Sequence, residues 1–502
     1  MGANLPKNGA AETPVACSCG LALVWSPQPR HIAPVKPNSS APESSKWPQR
    51  SPAEALARRR QALLSAIDAP IVLASGLPRV RNFEANRFPF RAESHFLYFI
   101  GRHLQGALLC FDQGEAVLFA PEAPDEDALW HGAQPSLDML SDELQLPVRP
   151  IGEFRAPDEA LTLAPADTET GLWLEDLLGR DVEPALPEDL SEEDAELAEA
   201  MIALRLRHDE AALIQMGHAA RVTSAAHLRA MNKTAPERRE AFVRAELEAE
   251  FTSGGMVGAY SSIVSVHGEV LHHDSSFNWM KNGELLLVDA GAESAEGWAS
   301  DVTRTWPVSG RFTTLQAEVY DLVLGAQKAA IASLEPGVRF RDVHRKAAAH
   351  LVSGLVDLGV LRGDPAELVA DGAAALFFPH GLGHLLGLDV HDMEDLGDRA
   401  GYAPGRERSD QPGECYLRLD RDLQAGMVVT IEPGIYVIPS VLAQAPARLR
   451  DALQPERLAQ LQAAVRGIRI EDDVLITDDG AEVLSASIPK ERFEIEALVG
   501  RG

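Results

Sequence analysis

The sequence predicts an α/β (α+β) chain in which a smaller mixed domain precedes a larger one. Three observations predict it. Short apolar runs bounded by turn residues, PIVLAS (70–75), GALLCF (106–111) and EAVLFA (115–120), read as strands close to a helical start at 51–67. An acidic, proline-bearing stretch, DVEPALPEDLSEEDAE (181–196), reads as a linker feeding a helix. From Ile263 onward, strand and helix patterns alternate to the C-terminus. The expected division is a disordered tail over 1–50, a mixed α/β domain over 51–185 and a larger domain over 186–502.

The elements follow in order. Residues 1–50 are rich in Pro, Ser, Asn and Ala and show no sustained period. SPAEALARRRQALLSAI carries Ala, Leu and Arg at helical spacing. GALLCF and EAVLFA are separated by Asp112, Gln113 and Gly114, which signals a hairpin. The apolar pattern over 197–231 predicts one helix, and RREAFVRAELEAEFT (238–252) predicts another. ELLLVDAG (284–291) predicts a buried strand. LQAEVYDLVLGAQKAAIASL (315–334) and FRDVHRKAAAHLVSGLVDLG (340–359) predict amphipathic helices, which places His344 and His350 in structural or surface roles, and His218 and His227 read the same way. MVVTIEPGIYVI (427–438) and IRIEDDVLIT (468–477) predict strands by their β-branched content.

Charge and cysteine usage narrow the function classes. Lys plus Arg number 46 against 75 Asp plus Glu, a net charge of −29, which argues against nucleic acid and against an anionic membrane surface as partners. Four cysteines, Cys17, Cys19, Cys110 and Cys415, suggest neither a disulfide framework nor a thiolate metal site, so a reducing, cytoplasmic setting is expected. No apolar run is long enough to span a bilayer, so no membrane partner is expected, and VACSCGLALVW is a weak match to a secretory core.

The chemistry concentrates in the last 240 residues. HGLGHLLGLDVHD (380–392) holds three histidines among glycines and leucines. His380 and His384 stand four apart, a helical zinc spacing, but Gly381, Gly383 and Gly387 each weaken a helix by roughly 1 kcal/mol. A glycine-rich turn bringing backbone and imidazole close to a ligand fits better. Asp289 ends ELLLVDAG, Asp301 opens DVTRTWP, Glu432 lies inside VVTIEPGIYV and Glu471 inside IRIEDDVLIT. A carboxylate in an apolar strand is costly when ionised and unpaired. Arg469, two residues before Glu471, is the obvious partner for that acid, and of Asp472 and Asp473 one is expected in solvent and the other in support of the site. Four converging acids cannot all stay ionised without cations, and two divalent ions would supply that charge. Oxygen ligands with one histidine favour Mn²⁺, Co²⁺ or Zn²⁺. Four independent acids with local partners are the plainer alternative.

The order VDAGAE, SDVTRTWP, HGLGHLLGLDVHD, TIEPGIY and GIRIEDDVLIT resembles the proline-specific metallopeptidases of the pita-bread fold. These are aminopeptidase P (Xaa-Pro aminopeptidase) and prolidase (Xaa-Pro dipeptidase). RFPFRAESHFLYFIG (87–101) resembles part of their N-terminal domain, so the resemblance spans about residues 50–490. It implies a C-terminal pita-bread catalytic domain whose metal ligands are Asp289, Asp301, His384, Glu432 and Glu471. Asp301 and Glu471 would bridge two metal ions, most simply Mn²⁺, with Asp289 on one ion and His384 and Glu432 on the other. It implies pocket roles for His380, His391 and His272, with His273 competing for the last. Arg469 and Tyr436 match substrate-contacting or supporting positions. Glu432, His272 and His391 are the expected catalytic residues. The implied substrate is a peptide with proline second, and the implied assembly is a homodimer or homotetramer. Extra segments after the histidine block and at 438–466 resemble prolidases, whereas the N-terminal block resembles aminopeptidase P, which is the expected activity. All five ligand positions are filled, which speaks against a non-catalytic binding protein on the same fold.

Overall fold

A computed structural model of the chain describes residues 50–123, 127–182 and 192–502. All but the last residue of the expected tail over 1–50, the secretory-like stretch and most of the acidic linker lie outside the described residues. The unit Trp47–Gly502 is considered by itself below.

The N-terminal part begins with the helix Ala53–Ala66, as its spacing predicts. Beyond it lies a four-stranded sheet in the order Ile71–Ala74, Leu108–Asp112, Glu115–Ala120, Val148–Pro150. The middle pair is the expected hairpin, with Asp112 facing Glu115. Gln113 and Gly114 both take positive φ, 49° and 79°, the backbone a two-residue turn needs to match strand twist. The helix Ser94–Ile100, cut from the RAESHFLYFIG stretch, is buried along its whole length.

The pattern over 197–231 does not form one helix. The chain makes Glu192–Arg205 and then Glu210–Lys233, with a break between. Asp209 causes it: its carboxylate caps the second helix at the Ala212 N–H, 2.9 Å away, and also binds Arg59 at 2.9 and 2.7 Å. An apolar repeat conveys amphipathicity but not the cap that restarts a helix in a new direction.

The larger part places its strands around the acids. Ile263–Ser265, Leu285–Asp289 and Thr303–Pro307 form an antiparallel sheet in which Asp289 faces Thr303. The helices Thr314–Ile331 and Phe340–Asp357 pack nearby, the first started by a Thr313–Gln316 capping box.

Two expected strands are each broken in the middle. MVVTIEPGIYVI becomes Val428–Ile431 and Gly434–Tyr436. IRIEDDVLIT becomes Gly467–Arg469 and Asp472–Thr477. The halves pair crosswise: Val428–Ile431 with Asp472–Thr477, and Gly434–Tyr436 with Gly467–Arg469. Pro433 has no N–H to give to the ladder. The Glu432 N–H instead bonds the Leu382 carbonyl at 2.8 Å, and the Glu471 N–H bonds the Thr303 carbonyl at 3.0 Å. Both interruptions therefore fall on carboxylates the sequence singles out. No described helix is long and apolar enough to cross a membrane.

Candidate metal centre

The two breaks and the Asp289–Thr303 pair meet at one end of a cavity of about 680 Å³. Its wall contains Asp289, Asp301, His384, Glu432, Glu471, His272, His380, His391 and Arg469. Nine of the ten residues named from sequence thus face a common space. Tyr436 is the exception: it is buried behind the wall.

At the floor, Asp301, His384 and Glu471 bring ligand atoms within 4.8 Å of one another. His384 Nε2 stands 3.5 Å from Asp301 Oδ2 and 3.7 Å from Glu432 Oε1. Its other nitrogen is committed, since Nδ1 donates to the Leu385 carbonyl at 3.0 Å. That bond leaves Nε2 a lone pair aimed among carboxylates. A lone pair facing anionic oxygens is unfavourable until a cation sits between them. The donor set therefore fits divalent metal.

The acids agree. Burial, then the neighbouring Asp289, pushes the Asp301 carboxyl well above the usual range. Burial and then Asp301 do the same to Glu471, and burial and then Glu471 to Glu432. Tyr260 reports the same tension. Its hydroxyl lies 2.5 Å from Asp289 Oδ1 and 2.5 Å from Asp301 Oδ1. One phenolic proton serves one acceptor, so the second contact needs either a proton on Asp301 or a cation in its place.

Arg469 does not pair with Glu471 as expected. Its guanidinium bonds Asp289, the Thr303 hydroxyl at 2.9 Å and the Tyr436 hydroxyl at 3.1 Å. The strand break is the reason: it turns Arg469 and Glu471 away from the shared face an unbroken strand would give them. Glu471 Oε2 instead accepts from Thr303 Oγ1 at 2.6 Å. Tyr436 passes the contact on, donating to His380 Nε2 at 2.8 Å while His380 Nδ1 donates to the Gly381 carbonyl at 2.8 Å. Burial, then Arg469, lowers the His380 pKa to about 3.

Asp472 and Asp473 are both buried, so neither is the solvated acid expected. Asp472 is matched by Arg304 at 2.7 Å and Lys490 at 2.6 Å. Asp473 accepts from Ser300 Oγ at 2.6 Å and from the Asp301 N–H at 2.9 Å, which fixes Asp301 from behind. Alternation along a strand would expose one of two consecutive residues, but this strand is covered on both faces.

The histidine stretch forms no helix, in line with its glycines. The glycines allow close approach to protein, since a Cβ on Gly383 would lie 1.9 Å from the Thr430 carbonyl oxygen and one on Gly387 2.4 Å from Asp392 Oδ2, while Gly381 and Gly383 also line the cavity. His272 lines the cavity, whereas His273 bonds the Ser275 carbonyl at 2.7 Å. Burial, then His384, lowers the His391 pKa to about 4, and its Nδ1 lies 3.0 Å from Glu394 Oε2.

Sequence reasoning missed Tyr260, Arg418 and Tyr416, all of which line the cavity. Tyr260 reaches its acids across 29 and 41 residues, and no local spacing signals that.

Two family models match the chain. Metallopeptidase family M24 covers residues 214–478, and the aminopeptidase P N-terminal domain covers residues 56–162. The chain belongs to metallopeptidase family M24. This M24 metallopeptidase is 33% identical to the Xaa-Pro aminopeptidase of Escherichia coli over 88% of its own length and 96% of that relative. It is 32% identical to the human Xaa-Pro dipeptidase, over 86% and 88%. The solved structure of a Pseudomonas aeruginosa aminopeptidase superposes with a TM-score of 0.72 at 31% identity, covering 89% of this chain and 98% of that one. The pita-bread fold and its N-terminal domain, expected from the sequence, are borne out.

Proposed function

We propose that this M24 metallopeptidase is an Xaa-Pro aminopeptidase, a hydrolase that removes the first residue from peptides with proline second. The observation that carries the reading is His384 Nε2 aimed at Asp301 and Glu432, with Glu471 in the same cluster, at the floor of a peptide-sized cavity. We assign Asp289, Asp301, His384, Glu432 and Glu471 as the residues that would hold two divalent ions. The oxygen-rich set with one imidazole favours Mn²⁺, with Co²⁺ and Zn²⁺ as substitutes. We take 51–185 as the N-terminal domain and 186–502 as the catalytic one. The cysteine usage fits a cytoplasmic enzyme, and we take it as a homodimer or homotetramer, which sedimentation would test.

When bound, two divalent ions supply Lewis acidity for the scissile carbonyl and lower the pKa of a water. The protein groups do the rest. A prolyl leaving group is a tertiary amide nitrogen without N–H, so it must gain a proton as the bond breaks. Glu432 borders the cluster and the cavity, and its carboxyl accepts a proton and passes it to that nitrogen. His391, with Nδ1 donating to Glu394, presents Nε2 as an acceptor for a substrate N–H. His272 lines the same cavity, where its imidazole can contact the peptide. Arg469, Tyr436 and His380 form a hydrogen-bonded chain that fixes Asp289 at one end and the pocket imidazole at the other.

A second reading, Xaa-Pro dipeptidase, draws on the two insert-like segments. Tyr416 and Arg418 from one, with Ile438 and Val441 from the other, line the cavity and shorten the space for a longer peptide. After dialysis and re-addition of single divalent ions, the aminopeptidase hydrolyses Xaa-Pro-Xaa tripeptides at least as well as Xaa-Pro dipeptides. Cleavage confined to dipeptides selects the second reading, and neither cleavage nor metal uptake selects a non-catalytic binding protein.

A further inference from the structure

The stretch RAESHF has no part in the chemistry above, yet it reaches the active-site wall. His391 sits on an irregular loop whose only regular piece near it is the short turn Glu394–Leu396. Backbone bonds hold part of this loop: Gly387 N–H to the Asp389 carbonyl at 3.1 Å, Asp392 N–H to the Leu385 carbonyl at 3.0 Å and Glu394 N–H to the His391 carbonyl at 3.3 Å. Side chains from elsewhere supply the rest. Arg91 donates to the Leu388 carbonyl at 2.6 Å, and Ser94 donates to Asp389 Oδ1 at 2.7 Å. His95 Nε2 lies 2.8 Å from Asp395 Oδ2. Arg205, fully buried, donates to Asp392 Oδ1 at 2.6 Å and to Asp389 Oδ2 at 3.3 Å.

Arg205 also fixes His95. An arginine only donates, and its Nη1 lies 2.9 Å from His95 Nδ1, so Nδ1 accepts. Nε2 then carries the proton and donates to Asp395. The grips at 388, 389, 392 and 395 bracket His391 on both sides. The His391 ring faces the cavity with its centroid 4.0 Å from that of His384. Three of the four gripping residues, Arg91, Ser94 and His95, lie in the stretch matched by the aminopeptidase P N-terminal domain. The two terminal nitrogens of Arg205 are matched by His95, Asp389 and Asp392 while its buried Nε finds no partner among the described residues, so moving the loop away would strand a buried charge still further.

The geometry points to Arg91, Ser94 and His95 as positioning residues through which the N-terminal domain sets the His391 imidazole against the metal-ligand cluster. The inference rests on the catalytic reading of His391. A misplacement of about 1 Å at a reacting group can cost on the order of 100-fold in rate. The test uses the full chain loaded with Mn²⁺ and a chromogenic Xaa-Pro peptide. Steady-state kinetics, bound-metal content and melting temperature are measured for Arg91→Ala, His95→Ala, His391→Ala and the doubles Arg91→Ala/His391→Ala and His95→Ala/His391→Ala.

Arg91→Ala and His95→Ala each lower kcat roughly 10- to 100-fold with KM and metal content near wild type. In the doubles, activity falls no further than in His391→Ala alone, because the grip acts through that ring. If His95→Ala fails to fold, Arg91→Ala, which leaves the buried Arg205–His95 contact intact, decides the matter. Folded single variants with wild-type kcat beside an impaired His391→Ala overturn the inference alone, as do losses that multiply in the doubles. A His391→Ala chain as active as wild type overturns the reading of His391 and the inference together.

Discussion

Replacing Arg469 with Met separates the two ways Asp289 can be neutralised. Arg469 is 4% exposed and bonds Asp289, Thr303 Oγ1 and Tyr436 OH. Methionine keeps much of the volume but leaves Asp289 buried without its counter-charge. Removing one partner of a buried pair costs about 3–5 kcal/mol. With divalent ions bound, Asp289 keeps a positive neighbour, and the residual loss is that of two hydroxyl contacts, about 1–3 kcal/mol. Denaturant unfolding of wild type and Arg469→Met, each stripped of metal and then saturated with Mn²⁺, reads both quantities. The variant is predicted to lose markedly more stability in the stripped state. Equal losses in the two states would refute the idea that Arg469 and a cation share Asp289.

Two further outcomes follow from the surroundings of the site. Burial holds His344 neutral, lowering its pKa from 6.5 to about 4, and its Nδ1 has no hydrogen-bond partner. A depressed folded pKa contributes stability that is present above pH 6.5 and lost as pH falls towards 4. Between pH 7 and 5 that loss is about 2 kcal/mol, and His344→Phe should remove it from the urea midpoints at the two pH values. Asp473→Ala removes the acceptor of Ser300 Oγ and the Asp301 N–H, and should weaken Mn²⁺ binding about 10- to 100-fold by competition dialysis, whereas Asp473→Asn, which keeps an acceptor oxygen, should retain most of it.

Much of this architecture was legible because the governing signals are local. The 108–120 hairpin declares itself in Asp112, Gln113 and Gly114, and the helices at 314–331 and 340–357 in their apolar spacing. Asp289, Asp301, Glu432 and Glu471 stand out because a carboxylate in an apolar strand demands an explanation. What stayed hidden depends on contacts far apart in the chain. Pro433 breaks one strand and the crosswise pairing breaks its partner, which moves Arg469 from Glu471 to Asp289. Asp209 restarts a helix that periodicity alone runs straight through. Asp472 and Asp473 are both buried because their strand is covered twice, and Tyr260 reaches the acids only through the fold.

The central claim is that Asp301, Glu471 and their neighbours are tolerated in apolar β-structure because two cations neutralise them. Metal content after equilibration with Mn²⁺ and gel filtration, for wild type and Asp301→Asn, tests it most directly. The account predicts two ions per wild-type chain and a folded Asp301→Asn chain that has lost metal together with Xaa-Pro hydrolysis. A wild-type chain that binds no divalent ion, or an Asp301→Asn chain with full metal and full cleavage, would contradict it.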